Sequence, residues 1–213
     1  MERQIIRLEH FDTWYAEEFM RITNLKTPWL VHQLYTRGHY RLLTYIVNHD
    51  RNADYFDAGM GRGASFIAML LPILQSTQAT GHVYGCDVEG IPLLTVGWSL
   101  DTYLARFRKH GTLNIGAVTG DMARPDRIAE AAKCRMVMID GQHNGVSERL
   151  LLDGMLDAGF TGIVVMDDTT ACPPLTELAA YAAERARDSW DLTEHFHETG
   201  TYLFDFGNNI EVI

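Results

Sequence analysis

The chain has 213 residues, 46% of them hydrophobic and 22% charged, with a formal net charge of −10. That length suits one domain with a full core, and the acidic balance excludes a protein that tracks phosphates with a basic stripe. Cys86, Cys134 and Cys172 show no paired spacing, which excludes a disulfide framework and suits a reducing compartment.

The opening "MERQIIRLEHFDTWY" has no continuous apolar leader, and no run approaches the roughly 18 apolar residues of a membrane span. A cytoplasmic protein is expected. Residues 1–50 read as a helical segment, a lid over the core at 51–213. Phe11, Trp14, Tyr15, Phe19 and Ile22 recur at helical spacing, and Thr27–Pro28 supplies a cap and first-turn proline for a second helix. Gly38 is read as interrupting that helix before "YRLLTYIVNH". Trp14, Tyr15, Trp29, Tyr35 and Tyr40 are expected mainly to pack, with one or two reaching a ligand; His32 and His39 are read as pocket-lining or simply packed.

From Asp54 short apolar runs alternate with longer amphipathic ones. "DYFDAG" reads as a strand, "GASFIAMLLPILQS" as a helix and "GHVYGCDV" as a strand. "PLLTVGWSLDTYLARFRKH" reads as a helix, with Arg106, Arg108, Lys109 and His110 as its basic last turn. "TLNIGAVTGD" is a strand, "PDRIAEAAK" a short helix and "CRMVMID" a strand. "VSERLLLDGMLDAGF" is a helix with Val146, Leu150, Leu151 and Met155 on one face. "TGIVVMDD" is a strand, and "PPLTELAAYAAERARDS" a helix. Such alternation demands crossover connections, and near-continuous apolar strands suit a sheet covered on both faces. Cys86 and Cys134 fill core space. "WDLTEHFHETGTYLFDFGNN" reads as two strands joined by an "ETG" turn with no helix between, so that His195 and His197 alternate on a strand. The expectation is a single α/β domain, 1–213: a Rossmann-like, doubly wound, mostly parallel seven-stranded sheet over 51–213, closed by an antiparallel hairpin.

"FDAGMGRGASF" puts Gly59, Gly61 and Gly63 at alternate positions of a strand-to-helix turn, where open α/β sheets bind ligands. Gly59-x-Gly61-x-x-Ala64 also fits a loose dinucleotide fingerprint. Asp57, however, would repel a pyrophosphate and suits a ligand with positive charge or hydroxyls. Asp87 ends the second strand, placed to accept ribose hydroxyl hydrogens, and Asp121 ends the third. This order resembles the class I S-adenosylmethionine-dependent methyltransferases over about residues 50–208. Their first motif, an acidic residue and Gly-x-Gly-x-Gly, is met by Asp57, Gly59, Gly61 and Gly63. The resemblance implies S-adenosylmethionine as cofactor, with Asp57, Gly59, Gly61, Gly63, Asp87, Asp121 and Asp140 around it.

"MVMIDGQHNG" ends a strand at Asp140 with His143 three residues on, and "IVVMDDTT" ends the next at Asp167 and Asp168. Neighbouring parallel strands lie about 4.8 Å apart, so these carboxylates gather at one edge and repel. A hard divalent cation relieves that, and oxygen ligands suit Mg²⁺, with Mn²⁺ or Ca²⁺ as alternatives. The stretch resembles the Mg²⁺-dependent small-molecule O-methyltransferases of the catechol and macrocin types, and a broader group with "DG-x-H" followed by "DD". It implies Asp140, Asp167 and Asp168 as metal ligands. The catechol enzymes carry a lysine base where this chain has His143, a departure that leaves the base role open, with His143 the candidate because neutral imidazole suits a hydroxyl acidified by a metal. The resemblance also implies a small-molecule hydroxyl as acceptor, in natural-product biosynthesis, with no nucleic acid or membrane partner; a homo-oligomer is compatible with it. Against these stand plain helix capping by the aspartates, an NAD(P)-dependent oxidoreductase, and a methyltransferase-like subunit that only binds.

Overall fold

A computed structural model describes residues 3–8, 38–61, 63–74, 76, 78–88, 115–196 and 198–213. The helix read over 92–110 with its basic cluster, the helices read over 11–35 and His197 lie outside them. The described elements are β1 (Gln4–Ile6), α1 (Gly38–His49), β2 (Tyr55–Ala58), α2 (Ala64–Leu74), β3 (Val83–Asp87), β4 (Ile115–Thr119), α3 (Pro125–Ala131), β5 (Met136–Ile139), α4 (Val146–Asp157), β6 (Ile163–Asp167), α5 (Pro173–Ala183), β7 (Asp188–Asp191), α6 (Thr193–Phe196), β8 (Thr201–Asp205) and β9 (Ile210–Val212).

Seven strands form one sheet in the order β4-β3-β2-β5-β6-β8-β7. β4 through β6 pair in parallel, and β8 runs antiparallel to both β6 and β7. This is the mostly parallel, doubly wound α/β sheet with a closing antiparallel pair that the sequence implies. Strand side chains alternate between faces. Tyr55, Met136, Met138, Ile163 and Val165 therefore pack under α1 and α2. Phe56, Val137, Ile139, Val164 and Met166 pack under α3, α4 and α5. Thr44 on α1 ties the first layer together by donating to the Ala68 carbonyl on α2, 2.8 Å away. Cys86 and Cys134 are buried, as read.

Three readings need correction. The first 50 residues are not helical throughout, because Gln4–Ile6 is extended and pairs in parallel with Ile210–Val212. Gly38 is itself helical, within α1, where a Cβ would run into Phe196; the helix read ahead of it lies outside the described residues. α5 ends at Ala183, and Asp188–Asp191 is already strand, where Trp190 faces Leu203 across the pair. The closing pair does contain a helical turn, α6, and His195 belongs to it, not to a strand.

α4 also turns a different face inward. Val146 and Leu150 are exposed at 62% and 53%, whereas Ser147, Glu148, Leu151, Leu152 and Met155 are buried. Asn144 sets this phase. Its Oδ1 accepts the amides of Val146 (2.7 Å) and Ser147 (3.1 Å), capping the helix from just outside it. No helix among the described residues is long and apolar enough to cross a membrane.

Candidate active site

All the strand-end turns singled out in the sequence meet at one edge of the sheet. The β2–α2 turn runs through left-handed Gly59 (φ 99°), Gly61 (48°) and Gly63 (83°). The glycines serve different needs. A Cβ on Gly59 would overlap the Asp140 carbonyl, so Gly59 is what lets the β2 and β5 turns touch; a Cβ on Gly61 would meet nothing among the described residues. The Gly61 amide donates to Asp87 Oδ2 at 2.8 Å, joining the glycine turn to the end of β3. The Gly120 amide donates to the Asp87 carbonyl at 2.9 Å, bringing the β4 turn alongside. Asp121, beside Gly120, is exposed and accepts the Ala123 amide at 2.9 Å.

Asp57 sits beneath this turn. It shares a face with Tyr55, is fully buried, and accepts the Ser65 hydroxyl at 2.7 Å from α2. Burial pushes its carboxyl up to about 8; Asp140 and Asp87 push the same way, and the Ser65 hydrogen bond opposes them.

The ends of β5 and β6 bring Asp140, His143 and Asp168 together, with one ligand-capable atom of each within 4.8 Å of the others. His143 Nε2 is 3.0 Å from Asp140 Oδ1 and 3.6 Å from Asp168 Oδ2. The hydrogen bond to Asp140 holds the imidazole above the ordinary histidine value, with the charges of Asp140, Asp168 and Glu148 adding to it. Both His143 (φ 58°) and Asp168 (φ 57°) are left-handed, a conformation non-glycine residues rarely adopt. The capping alternative does not fit Asp140, since the α4 cap is Asn144.

Asp167 is not in that cluster. It lies on the α1 face with Ile163 and Val165, fully buried. Its Oδ1 accepts the Thr201 hydroxyl at 3.1 Å, and its Oδ2 lies 3.4 Å from Nε2 of fully buried His39. Burial pushes its carboxyl up to about 7, with Asp140 and Asp168 adding to the rise and Thr201 opposing it. His39 thus packs against a site residue, and Tyr40 belongs to the core. Glu148 is a residue the sequence reading missed. It is fully buried, and its Oε1 accepts the His143 amide at 2.8 Å.

The strand order with its closing antiparallel pair is a Rossmann-like fold that solved methyltransferase structures share. Comparison with solved structures agrees. A candidate caffeoyl-CoA O-methyltransferase from Staphylococcus aureus superposes with a TM-score of 0.61 at 8% identity, covering 90% of this chain and 99% of that one. CalS11, a TDP-rhamnose 3'-O-methyltransferase of calicheamicin biosynthesis, gives 0.57 at 17% identity, over 91% and 92% of the two chains. MycE, a methyltransferase of the mycinamycin pathway in complex with Mg and S-adenosylhomocysteine, gives 0.51 at 14% identity, over 88% of this chain and 55% of MycE. No protein-family model matches the sequence, and no curated protein is detectably similar to it.

Proposed function

We propose that the protein is an S-adenosylmethionine-dependent methyltransferase acting on a hydroxyl of a small molecule, with a divalent cation held by Asp140 and Asp168 and with His143 as base. The observation that carries this reading is the meeting of Asp140, His143 and Asp168 at the strand ends, beside the glycine turn Gly59–Gly63. The donor set fits such an ion: two half-buried carboxylates converge there. The likeness to the Mg-bound MycE structure supports the same reading.

S-adenosylmethionine would supply the electrophilic methyl group. A bound divalent cation would supply the Lewis acidity that makes a chelated hydroxyl easier to deprotonate. The chain's own residues do the rest. The backbone at Gly59, Gly61 and Gly63 admits the cofactor closely, Asp87 takes the ribose hydroxyls, and Asp121 and Asp140 line its flanks. Asp57 acts from below the turn, fixing α2 through Ser65. His143 receives the hydroxyl proton on its imidazole as the oxygen–methyl bond forms and the methyl–sulfur bond breaks. Holding nucleophile, methyl and sulfur in line supplies much of the rate. In this reading the chain works as one domain on a small soluble acceptor, with a place in natural-product biosynthesis and in the cytoplasm.

Calorimetry tests the reading directly. S-adenosylhomocysteine should bind the purified protein and NADH should not. Binding of NADH without S-adenosylhomocysteine would replace it with the oxidoreductase reading.

A further inference from the structure

Glu148 stands on the first turn of α4, three residues past Gly145, which occupies the N-cap position. A glutamate there ordinarily reaches back to the amide of the capping residue. Here it passes over that amide and accepts the one from His143, 2.8 Å from Oε1. The helix does not need it as a cap, because Asn144 already accepts the Val146 and Ser147 amides. The carboxyl group is fully buried, and Oε2 has no hydrogen-bond partner among the described residues. Burying a half-satisfied polar group costs stability, which an apolar residue here would avoid. The adjoining loop makes room for it: a Cβ on Gly141 would lie 2.9 Å from Oε1. On the other side of the same residue, the Cys172 thiol donates to the His143 carbonyl at 3.0 Å. His143 is therefore gripped at both its amide and its carbonyl while its backbone is left-handed.

We propose that Glu148 is a positioning residue: by anchoring the His143 amide it fixes the left-handed turn that aims the imidazole between Asp140 and Asp168. This rests on the functional reading above, which gives that imidazole and those carboxylates their task. Glu148 touches neither the ion nor the acceptor. It acts through the His143 peptide, so what matters is an acceptor oxygen at this point.

The test compares the whole protein with E148Q, which keeps an acceptor oxygen, and with E148L and E148M, which do not. Two readouts are followed: exchange of the His143 amide by NMR, and binding of Mn²⁺ alone by paramagnetic resonance. Wild type and E148Q should protect the amide and bind Mn²⁺ alike. E148L and E148M should exchange that amide about tenfold faster and bind Mn²⁺ about tenfold more weakly, the loss expected for a hydrogen bond to a charged group. Wild-type protection in E148L overturns the proposal. So does lost protection with unchanged Mn²⁺ affinity, which would make the contact merely structural. If wild type binds no Mn²⁺, the metal reading fails, and exchange alone decides the proposal. If neither apolar variant folds, E148Q decides it: retained protection supports the acceptor role, and lost protection overturns it.

Discussion

Asp57→Asn is the perturbation that most directly checks the electrostatics of the site. Asp57 is fully buried and, among the described residues, has one side-chain partner, the Ser65 hydroxyl, which an asparagine carbonyl oxygen can equally accept. Its folded pKa of about 8 lies above the ordinary 3.8. A raised carboxyl binds its proton more tightly when folded. Its stability contribution is therefore complete below pH 3.8 and is lost as pH rises through about 8. At ~1.36 kcal/mol per pH unit the full gap is a ceiling of ~6 kcal/mol. Water entry and local relaxation return much of that, leaving about 1–3 kcal/mol between pH 5 and pH 9. For a chain of this size that corresponds to roughly 3–10 °C in Tm. Thermal melts of wild type and D57N should diverge steadily as pH rises, with D57N the more stable on the alkaline side. Asp167 titrates in both proteins and cancels in the difference. A Tm gap that stays constant from pH 5 to pH 9 would refute the argument that burial raises this carboxyl.

The remaining predictions concern the turns and the chemistry. Gly59→Ala should cost about 2–4 kcal/mol of stability, since its Cβ would meet the Asp140 backbone at φ 99°; denaturant melts measure it. Gly61→Ala, meeting nothing among the described residues, should cost only ~1 kcal/mol of stability yet weaken S-adenosylhomocysteine in calorimetry, and undiminished affinity would remove Gly61 from the cofactor site. Asp87→Ala should lower cofactor affinity about tenfold, and an unchanged affinity would take Asp87 out of it. His143→Ala should lower kcat about a hundredfold, with the wild-type rate falling on the acid side as the imidazole gains its proton. Chelator should abolish turnover and Mg²⁺ should restore it; full activity in excess chelator would leave a metal-free enzyme.

Much of the fold was legible because strand and helix periods differ, and the alternating runs from Asp54 onward could hardly build anything but a crossover sheet. Where the reading slipped, a local contact outweighed apolar content. Hydropathy places Val146 and Leu150 inward, yet the Asn144 cap fixes the phase of α4, and a peptide amide draws Glu148 into the interior. Asp188 and Ser189 sit in "ARDS", which continues the α5 pattern, but pairing with β8 claims them with Trp190 and Asp191 as an edge strand. The one-turn helix α6 is set by Asp191, whose Oδ1 accepts the Thr193 amide at 3.0 Å, a cap visible in "DLT" but overlooked beside the stronger hairpin pattern.

The two adjacent aspartates show how a strand's own geometry divides a site. In β6 the period of two sends Ile163, Val165 and Asp167 to the α1 face, and Val164 and Met166 to the α4 and α5 face. Two successive carboxylates on a continuing strand would therefore point to opposite faces, and one ion beyond the strand end could not take both. The structure resolves this at the first residue after the strand. Asp168 turns left-handed, at a cost of roughly 1–2 kcal/mol, and comes within ligand distance of Asp140 and His143, while Asp167 keeps its strand orientation toward Thr201 and His39. Asp167's direction could have been derived from parity alone. The turn at Asp168 could not, because no glycine or asparagine marks it. A strained backbone at both Asp168 and His143, the two residues flanking Asp140 in the cluster, places the deviation where an ion and a base would need it. Elsewhere among the described non-glycine residues that conformation is not used.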